Sequence, residues 1–251
     1  MTKLLRWALA ATALTVISGT ALAAEFSDAQ KDEIGTIVRD YLLAHPEVLS
    51  EVSKKLEAQQ REEEDLRRVA GVKENAAELF HSDADLVGGN PQGDVTMVEF
   101  FDYNCGWCKK GLPEVLSLIN EDPKLRLVMK EFPIFGGDSD YAAKAALASR
   151  KQGKYWQFHV ALLGHEGKVT REVVDQVAKD QGLDVAQLKK DMEDPEVVAT
   201  LARNQELASK LALTGTPAFV IDAKVVPGYL PAGGLAATIK DVRAGGGCTV
   251  C

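Results

Sequence analysis

Cysteine, aromatic side chains and basic charge are all in short supply in this chain. Four cysteines in 251 residues are too few to staple a fold of this length, so they read as chemistry rather than as scaffold. Lysine and arginine number 29 against 37 aspartates and glutamates, a formal net charge of −8. With no basic cluster, nucleic acid and anionic membrane surfaces are excluded as natural partners. No apolar run is long enough for a membrane-spanning helix. The four histidines, His45, His81, His159 and His165, show no metal-ligand spacing and read as helix or loop residues. Gly88-Gly89 and Gly136-Gly137 read as turns, without the strand–loop–helix glycine pattern of a phosphate cradle. There is no internal repeat, and Gly245-Gly246-Gly247 is the one low-complexity tract.

What is present begins with an export signal. Lys3 and Arg6 precede an apolar run from Trp7 to Ile17 broken only by threonines, and Ala21-Leu22-Ala23 follows. This pattern predicts a signal peptide over residues 1–23, cleaved near Ala23/Ala24, and a periplasmic product. No cysteine stands at the cleavage point, so a lipoprotein anchor is not expected. An exported chain works where disulfides persist.

From Phe26 to about Phe80 the spacing reads as helix, broken or kinked at His45-Pro46. Ile34, Ile37, Val38 and Tyr41, then Leu49, Val52 and Leu56, make an apolar stripe with no core of its own. Residues 24–58 are therefore expected to self-associate, and the polar stretch 59–80, which includes Glu62-Glu63-Glu64-Asp65, to be a solvated helical linker. Residues 81–251 would form the main domain. Val95 to Tyr103 and Leu125 to Glu131 read as strands, and Cys105 to about Ile119 as the helix between them. A helical block over about 137–213 carries candidate caps at Asp138-Ser139-Asp140, at Asp184 with Gln187, and at Asp194 before Pro195. Ala218 to Ile221 and Lys224 to Pro227 read as a hairpin, and Pro231 to Arg243 as the last helix. That order is α/β, a thioredoxin fold with an inserted helical subdomain, preceded by a helical stalk.

Cys105-Gly106-Trp107-Cys108 lies where a strand ends and a helix begins. The first helical turn presents unpaired N–H groups and the positive end of the dipole, which stabilise a thiolate. Cys105 is then the exposed attacking thiol, and Cys108, one turn on, the more buried resolving one. A zinc site would need further ligands close in sequence, and none flank the pair. Alternation along the strand points Glu99 inward beneath the dithiol, and Trp107 is read as exposed apolar surface for substrate. Lys109 and Lys110 are read as solvated.

Val98 to Lys109 resembles the active-site strand and helix of the DsbA-like thioredoxin family, and Thr214-Gly215-Thr216-Pro217-Ala218-Phe219 resembles its second signature. Glu131 to Ile134 and Ala142 to His159 look like its helical insertion. Ile37 to Leu43 with Pro46 to Leu49 resembles the extension of the suppressor-of-copper-sensitivity protein C (ScsC) group. The resemblance implies that Pro217 is cis beside the dithiol, that Thr216 presents backbone to an extended substrate, and that Glu99 exchanges protons with Cys108. It implies a thiol–disulfide oxidoreductase with no required cofactor beyond the Cys105–Cys108 disulfide, acting on unfolded or misoxidised secreted proteins and served by a membrane redox partner. The Gly-Trp dipeptide, Thr216 and the stalk resemble isomerases more than monomeric oxidases, with a homo-oligomer, a trimer favoured, formed through residues 26–56. A monomeric-type dithiol oxidase and a Cu(I)-binding copper-tolerance protein are the alternatives. Cu(I) would then sit at Cys105 and Cys108, or at Cys248 and Cys251.

The second pair, Cys248-Thr249-Val250-Cys251, follows the three glycines and departs from the family pattern. On a flexible tail it reads as an inert disulfide, a soft-metal site, or an exchange partner for Cys105.

Overall fold

A computed structural model describes residues 26–251; the expected signal peptide lies outside the described residues. The described chain divides into two compact units after Glu57. In the first, helix α1 (Asp28–Ala44) is opened by a capping box between Ser27 and Gln30. It stops at His45, and α2 (Pro46–Glu74) restarts on a proline at its first position, as the sequence break predicts. No residue of α1 is buried, and Ile34, Ile37, Val38, Tyr41, Leu43, Leu49, Val52 and Leu56 all stand exposed.

In the second unit, short α3 (Ala76–His81) leads to edge strand β1 (Leu86–Gly89) and then β2 (Val95–Phe101), α4 (Gly106–Glu121) and β3 (Leu125–Glu131). The insertion supplies α5 (Gly137–Ala148), a 3-10 turn (Ser149–Gln152), α6 (Tyr155–Leu163), α7 (Arg171–Asp180), α8 (Val185–Asp191) and α9 (Pro195–Lys210). The hairpin β4 (Ala218–Ile221) and β5 (Lys224–Pro227) and helix α10 (Ala232–Ala244) complete it. The sheet order is β1-β3-β2-β4-β5, with β2 and β3 parallel across the α4 crossover and the other pairs antiparallel.

All seven residues of β2 are buried because both faces of the sheet are covered. Val95, Met97 and Phe101 face one core with α4, α10 and the inserted helices, while Val98 and Phe100 face a second core. That second core includes Val72, Leu79 and Phe80 at full burial, so the chain expected to be linker over 59–80 ends as packing for the second unit. Buried Lys130 reaches across this face to Asp85 at 2.6 Å and to the carbonyl of Glu78. Burial raises the Asp85 carboxyl to about 6, against the opposing pull of Lys130.

Three expectations need correction. Gly88-Gly89 is not simply a turn: both glycines pair in β1, because a Cβ on Gly88 would strike the Trp156 ring at 2.8 Å and Gly89 adopts φ +65°. Asp138 does not cap α5; the cap is Gly136, at φ +91°, and Asp138 lies in the first turn, where its charge suits the dipole. The helix expected over 26–80, broken only at His45-Pro46, has a second break at Asn75, whose side chain donates to the carbonyl of Gly71. Among the described residues no helix is long and apolar enough to cross a membrane.

Candidate active site

Strand β2 delivers its C-terminal end to Asp102-Tyr103-Asn104, and α4 begins immediately after. Cys105 is the N-cap residue of α4, its sulfur taking the place of the usual cap oxygen and accepting the Cys108 N–H at 3.3 Å. Cys105 and Cys108 are both free thiols here. The Cys105 thiol donates to the carbonyl of Thr216 at 3.2 Å, and the Thr216–Pro217 peptide is cis. The Thr216 hydroxyl is buried without a hydrogen-bond partner. Cys105 is only 2 % exposed, not the open thiol expected, because Thr216 sits over its sulfur.

The two thiols are driven apart electrostatically. A hydrogen bond from Cys108 lowers Cys105 to about 6, helped by Thr216 and by the N–H groups of Cys108 and Trp107 against the opposing effect of burial. Burial raises Cys108 far above its ordinary value, and its bond to Cys105 and the charge of Glu99 add to this. Glu99 is 3 % exposed on the face of β2 that looks toward α4. Burial, and then the negative charge on Cys105, raises its carboxyl to about 8. One thiol is thus ionised near neutral pH, its neighbour is held protonated, and a carboxyl titrating in the same range lies in the same core.

Trp107 is 54 % exposed. It lies against Tyr229, centroids 5.1 Å apart, with Lys110 Nζ 4.7 Å from the Trp107 ring and 5.0 Å from Tyr229. Tyr229 is fixed in turn by donating to Glu114, which also accepts the Ala232 N–H. Lys110 is therefore a stacking residue rather than a freely solvated one. Lys109 is engaged too: its ammonium donates to the carbonyls of His165 and Gly167, tying that loop to the dithiol helix.

Sequence reasoning missed several residues that shape the site. Buried Asp102 accepts from Asn104 N–H and Ser139 Oγ on one oxygen, and from the N–H groups of Ile134 and Phe135 on the other. Asn104 then exchanges hydrogen bonds with the backbone of Val169. The Asp-x-Asn spacing before a helix is an Asx-turn signal that was available in the sequence. Behind them, Tyr103 and Tyr155 both donate to Glu131, and Tyr103 meets His159 at 3.1 Å. Burial raises Glu131 well above the carboxylate range and lowers His159 to about 3. No local spacing announces that cluster, whose members come from β3, α6 and the β2–α4 turn.

Residues 96–240 match the DSBA-like thioredoxin domain, and residues 30–63 the copper resistance protein ScsC N-terminal domain. A thioredoxin-like oxidoreductase from Silicibacter pomeroyi is 48 % identical, covering 67 % of this chain and 97 % of that one, with a TM-score of 0.66. A linker-deletion mutant of Proteus mirabilis ScsC is 25 % identical, covering 89 % and 99 %, with a TM-score of 0.68. Na(+)/H(+) antiporter NhaA 1 of Salinispora arenicola is 27 % identical over 184 residues, which is 71 % of this chain but 28 % of that protein. The chain thus spans about a quarter of the antiporters' length.

Proposed function

The chain belongs to the DSBA-like thioredoxin family as a thiol–disulfide oxidoreductase carrying an ScsC N-terminal domain, and on that premise we propose that it is a periplasmic disulfide isomerase and reductase. The observation that carries this reading is the pairing of a strongly polarised dithiol with an uncovered apolar helical face over residues 26–56. The Cys105 thiolate attacks a disulfide in a misoxidised secreted protein. The Cys105–substrate bond forms as the substrate's S–S bond breaks, and the departing substrate sulfur leaves as thiolate. Isomerisation follows when that thiolate, or another in the substrate, attacks elsewhere and finally displaces Cys105 unchanged. Reduction follows instead when Cys108 loses its proton to Glu99 and closes the Cys105–Cys108 bond. A Cys108 held strongly protonated delays that escape and favours shuffling.

The same chemistry assigns the surrounding parts. An extended substrate pairs with the Thr216 backbone and rests on Trp107. The apolar stripe is covered by further copies of the chain, a trimer in our reading, which sets several dithiols around one substrate and hinders access by a membrane oxidant. A membrane redox partner keeps the dithiol reduced. Copper binding at Cys105 and Cys108 would use the same reduced sulfurs, and needs no separate site.

The test is reactivation of scrambled ribonuclease by a catalytic amount of the full chain, with Cys105→Ser as blank. Reactivation lost in the blank supports the isomerase. Oxidation of reduced substrate without reactivation would instead make the protein an oxidase, and inactivity in both assays would leave Cu(I) binding as its role.

A further inference from the structure

The C-terminal tail is not the free appendage its glycines suggest. Gly246 and Gly247, at φ +106° and +96°, turn the chain back after α10, and Val250 and Cys251 pack against the second core. Asp222, at the tip of the β4–β5 hairpin and itself at φ +52°, holds the tail in place. Its Oδ1 accepts the N–H groups of Thr249 (2.7 Å) and Val250 (3.0 Å), and both carboxylate oxygens meet the Thr249 hydroxyl at 3.0 Å. Oδ2 thus has no partner but that hydroxyl among these contacts and keeps lone pairs free. Cys248 and Cys251 are bonded to one another, with Cα atoms 5.6 Å apart.

The position excludes direct exchange with Cys105 in the same chain. Met97 pairs with Ile221 and Phe100 with Ala218, so the antiparallel register carries Asp222 toward the end of β2 remote from Cys105. At about 3.3 Å per residue along the intervening strand, the two pairs are roughly 20 Å apart. The tail pair therefore needs a chemistry of its own.

We propose that the reduced Cys248/Cys251 pair, with Asp222, is a redox-gated zinc site. The two sulfurs and a carboxylate oxygen of Asp222 all lie within 4.8 Å of one another. Around Zn²⁺, with bonds of about 2.3 Å to sulfur and about 2.0–2.2 Å to oxygen, such donors stand roughly 3.4–3.8 Å apart, inside the 4.8 Å that already encloses these three atoms. The carboxylate is what selects the metal: two sulfurs alone suit Cu(I), whereas a hard oxygen beside them suits Zn²⁺. A fourth position remains for water. Cys251 also lines a polar cavity of about 570 Å³ with His81, Asp83, Asp85 and Arg126, which gives an ion a wet approach.

Gating is by thiol–disulfide exchange with a protein dithiol. A reductant thiolate attacks one tail sulfur, the Cys248–Cys251 bond opens, and the reductant's second thiol displaces the mixed disulfide. Two electrons and two protons pass to the tail as the reductant closes its own disulfide. Zn²⁺ then displaces the two thiol protons to solvent. In the reverse exchange a protein disulfide attacked by one tail thiolate accepts the two electrons and leaves as a dithiol. The Cys248–Cys251 bond re-forms, both sulfur ligands are lost at once, and the metal is released.

The test uses the full chain carrying Cys105→Ser and Cys108→Ser, so that only the tail thiols remain. After phosphine reduction and removal of the reductant, Cd²⁺ is titrated and thiolate-to-cadmium absorption is read, followed by competition with Zn²⁺. One equivalent is expected to bind, Zn²⁺ to displace it, the oxidised protein to bind none, and Cys248→Ser to abolish the signal. Asp222→Asn, which keeps an Oδ1 acceptor for the tail N–H groups, is expected to weaken binding at least tenfold. Circular dichroism of the oxidised variants checks that the fold is intact. No saturable Cd²⁺ binding, or binding indifferent to Asp222→Asn in a folded variant, would overturn the proposal.

Discussion

The sulfur of Cys105 lies 3.2 Å from the carbonyl oxygen of Thr216, in a residue whose own hydroxyl is buried with no hydrogen-bond partner. While Cys105 is a thiol, its S–H satisfies the carbonyl. Once it ionises, that donor is gone, and the Thr216 hydroxyl, by rotating toward the sulfur, can donate a hydrogen bond to the new thiolate. The pair is therefore arranged to favour the charged state without holding it permanently. Thr216→Val keeps the shape and removes the hydroxyl. A hydrogen bond to a charged group is worth about 1.5 kcal/mol or more, so the Cys105 pKa should rise from about 6 by about one unit. Thiolate absorption against pH reads this directly, and an unmoved titration would remove Thr216 from the electrostatics.

Glu99 gives a prediction of the opposite sign. Its folded pKa of about 8 lies above its ordinary value, so between roughly pH 4.5 and 8 the folded protein holds a proton that the unfolded chain has lost. Stability should fall with rising pH across that window. Glu99→Gln should flatten the slope and leave the variant the more stable form near pH 8, by up to a few kcal/mol. Denaturant midpoints of the oxidised proteins at pH 5 and pH 8 measure the part due to burial, because the dithiol does not titrate there and Cys105 carries no charge. Burial is the larger cause, so a fall should remain, over a window that ends below pH 8. The same variant should slow dithiol turnover between pH 6 and 8 without abolishing disulfide formation. Unchanged kinetics there would strip Glu99 of its proton-transfer role.

Much of this was legible in the sequence, for physical reasons that differ from residue to residue. Strand β3 and both hairpin strands have the limits their apolar runs mark, because those runs end at charge, proline or a turn. The dithiol could be placed because a strand-to-helix junction is a local feature. Asp102 was missed although Asn104 stood two residues on, since a buried aspartate organising a distant loop announces only its first, local bond. The Tyr103–Glu131–Tyr155–His159 cluster could not be read at all: it exists only once β3, α6 and the β2–α4 turn are brought together. Strand β1 was misread because its two glycines signal a turn, whereas they are there to admit Trp156 and the strand backbone. The disulfide read for the tail is there, but its anchoring was missed for a similar reason, as the anchor is Asp222, 27 residues from Thr249.

Lys130 and Asp85 form a buried ion pair, with side chains 1 % and 2 % exposed. Lys130→Met removes one charge and leaves Asp85 facing an apolar neighbour. Breaking a buried pair in this way costs about 3–5 kcal/mol. The loss should shrink at acid pH, because the unpaired carboxyl can be protonated there. Unfolding midpoints of the variant and the parent at pH 5 and pH 8 test both points, and an equal loss at both values would show that packing, not charge, is what Lys130 provides.

Trp107 and Tyr229 should separate substrate binding from thiol chemistry. The indole is exposed while its geometry is held by Tyr229 and Lys110, so Trp107→Ala removes contact area without touching the sulfurs. An aromatic contact of about 1.4 kcal/mol corresponds to a tenfold loss in kcat/KM on an unfolded protein substrate. Reduction of a small disulfide that never reaches the indole should change little. Tyr229→Phe, which releases Glu114 but keeps the ring, should fall between the two. Equal losses on both substrates would place the effect of Trp107 on the dithiol itself.

The uncovered face of α1 and the start of α2 carries the last prediction, because it distinguishes an isomerase from an oxidase built on the same domain. Ile37 and Val52 are both more than half exposed. Ile37→Asp with Val52→Asp introduces charge on that face at no cost to an isolated helix. If copies of the chain meet there, light scattering should show the parent as an oligomer and the variant as a monomer. The variant's dithiol should keep its Cys105 titration, lose ribonuclease reactivation, and gain access to oxidants, so that oxidation of reduced substrate speeds up. A variant that stays oligomeric would place the interface elsewhere. A monomer that still reactivates ribonuclease would show that a single polarised dithiol, with Cys108 held protonated, suffices for isomerisation.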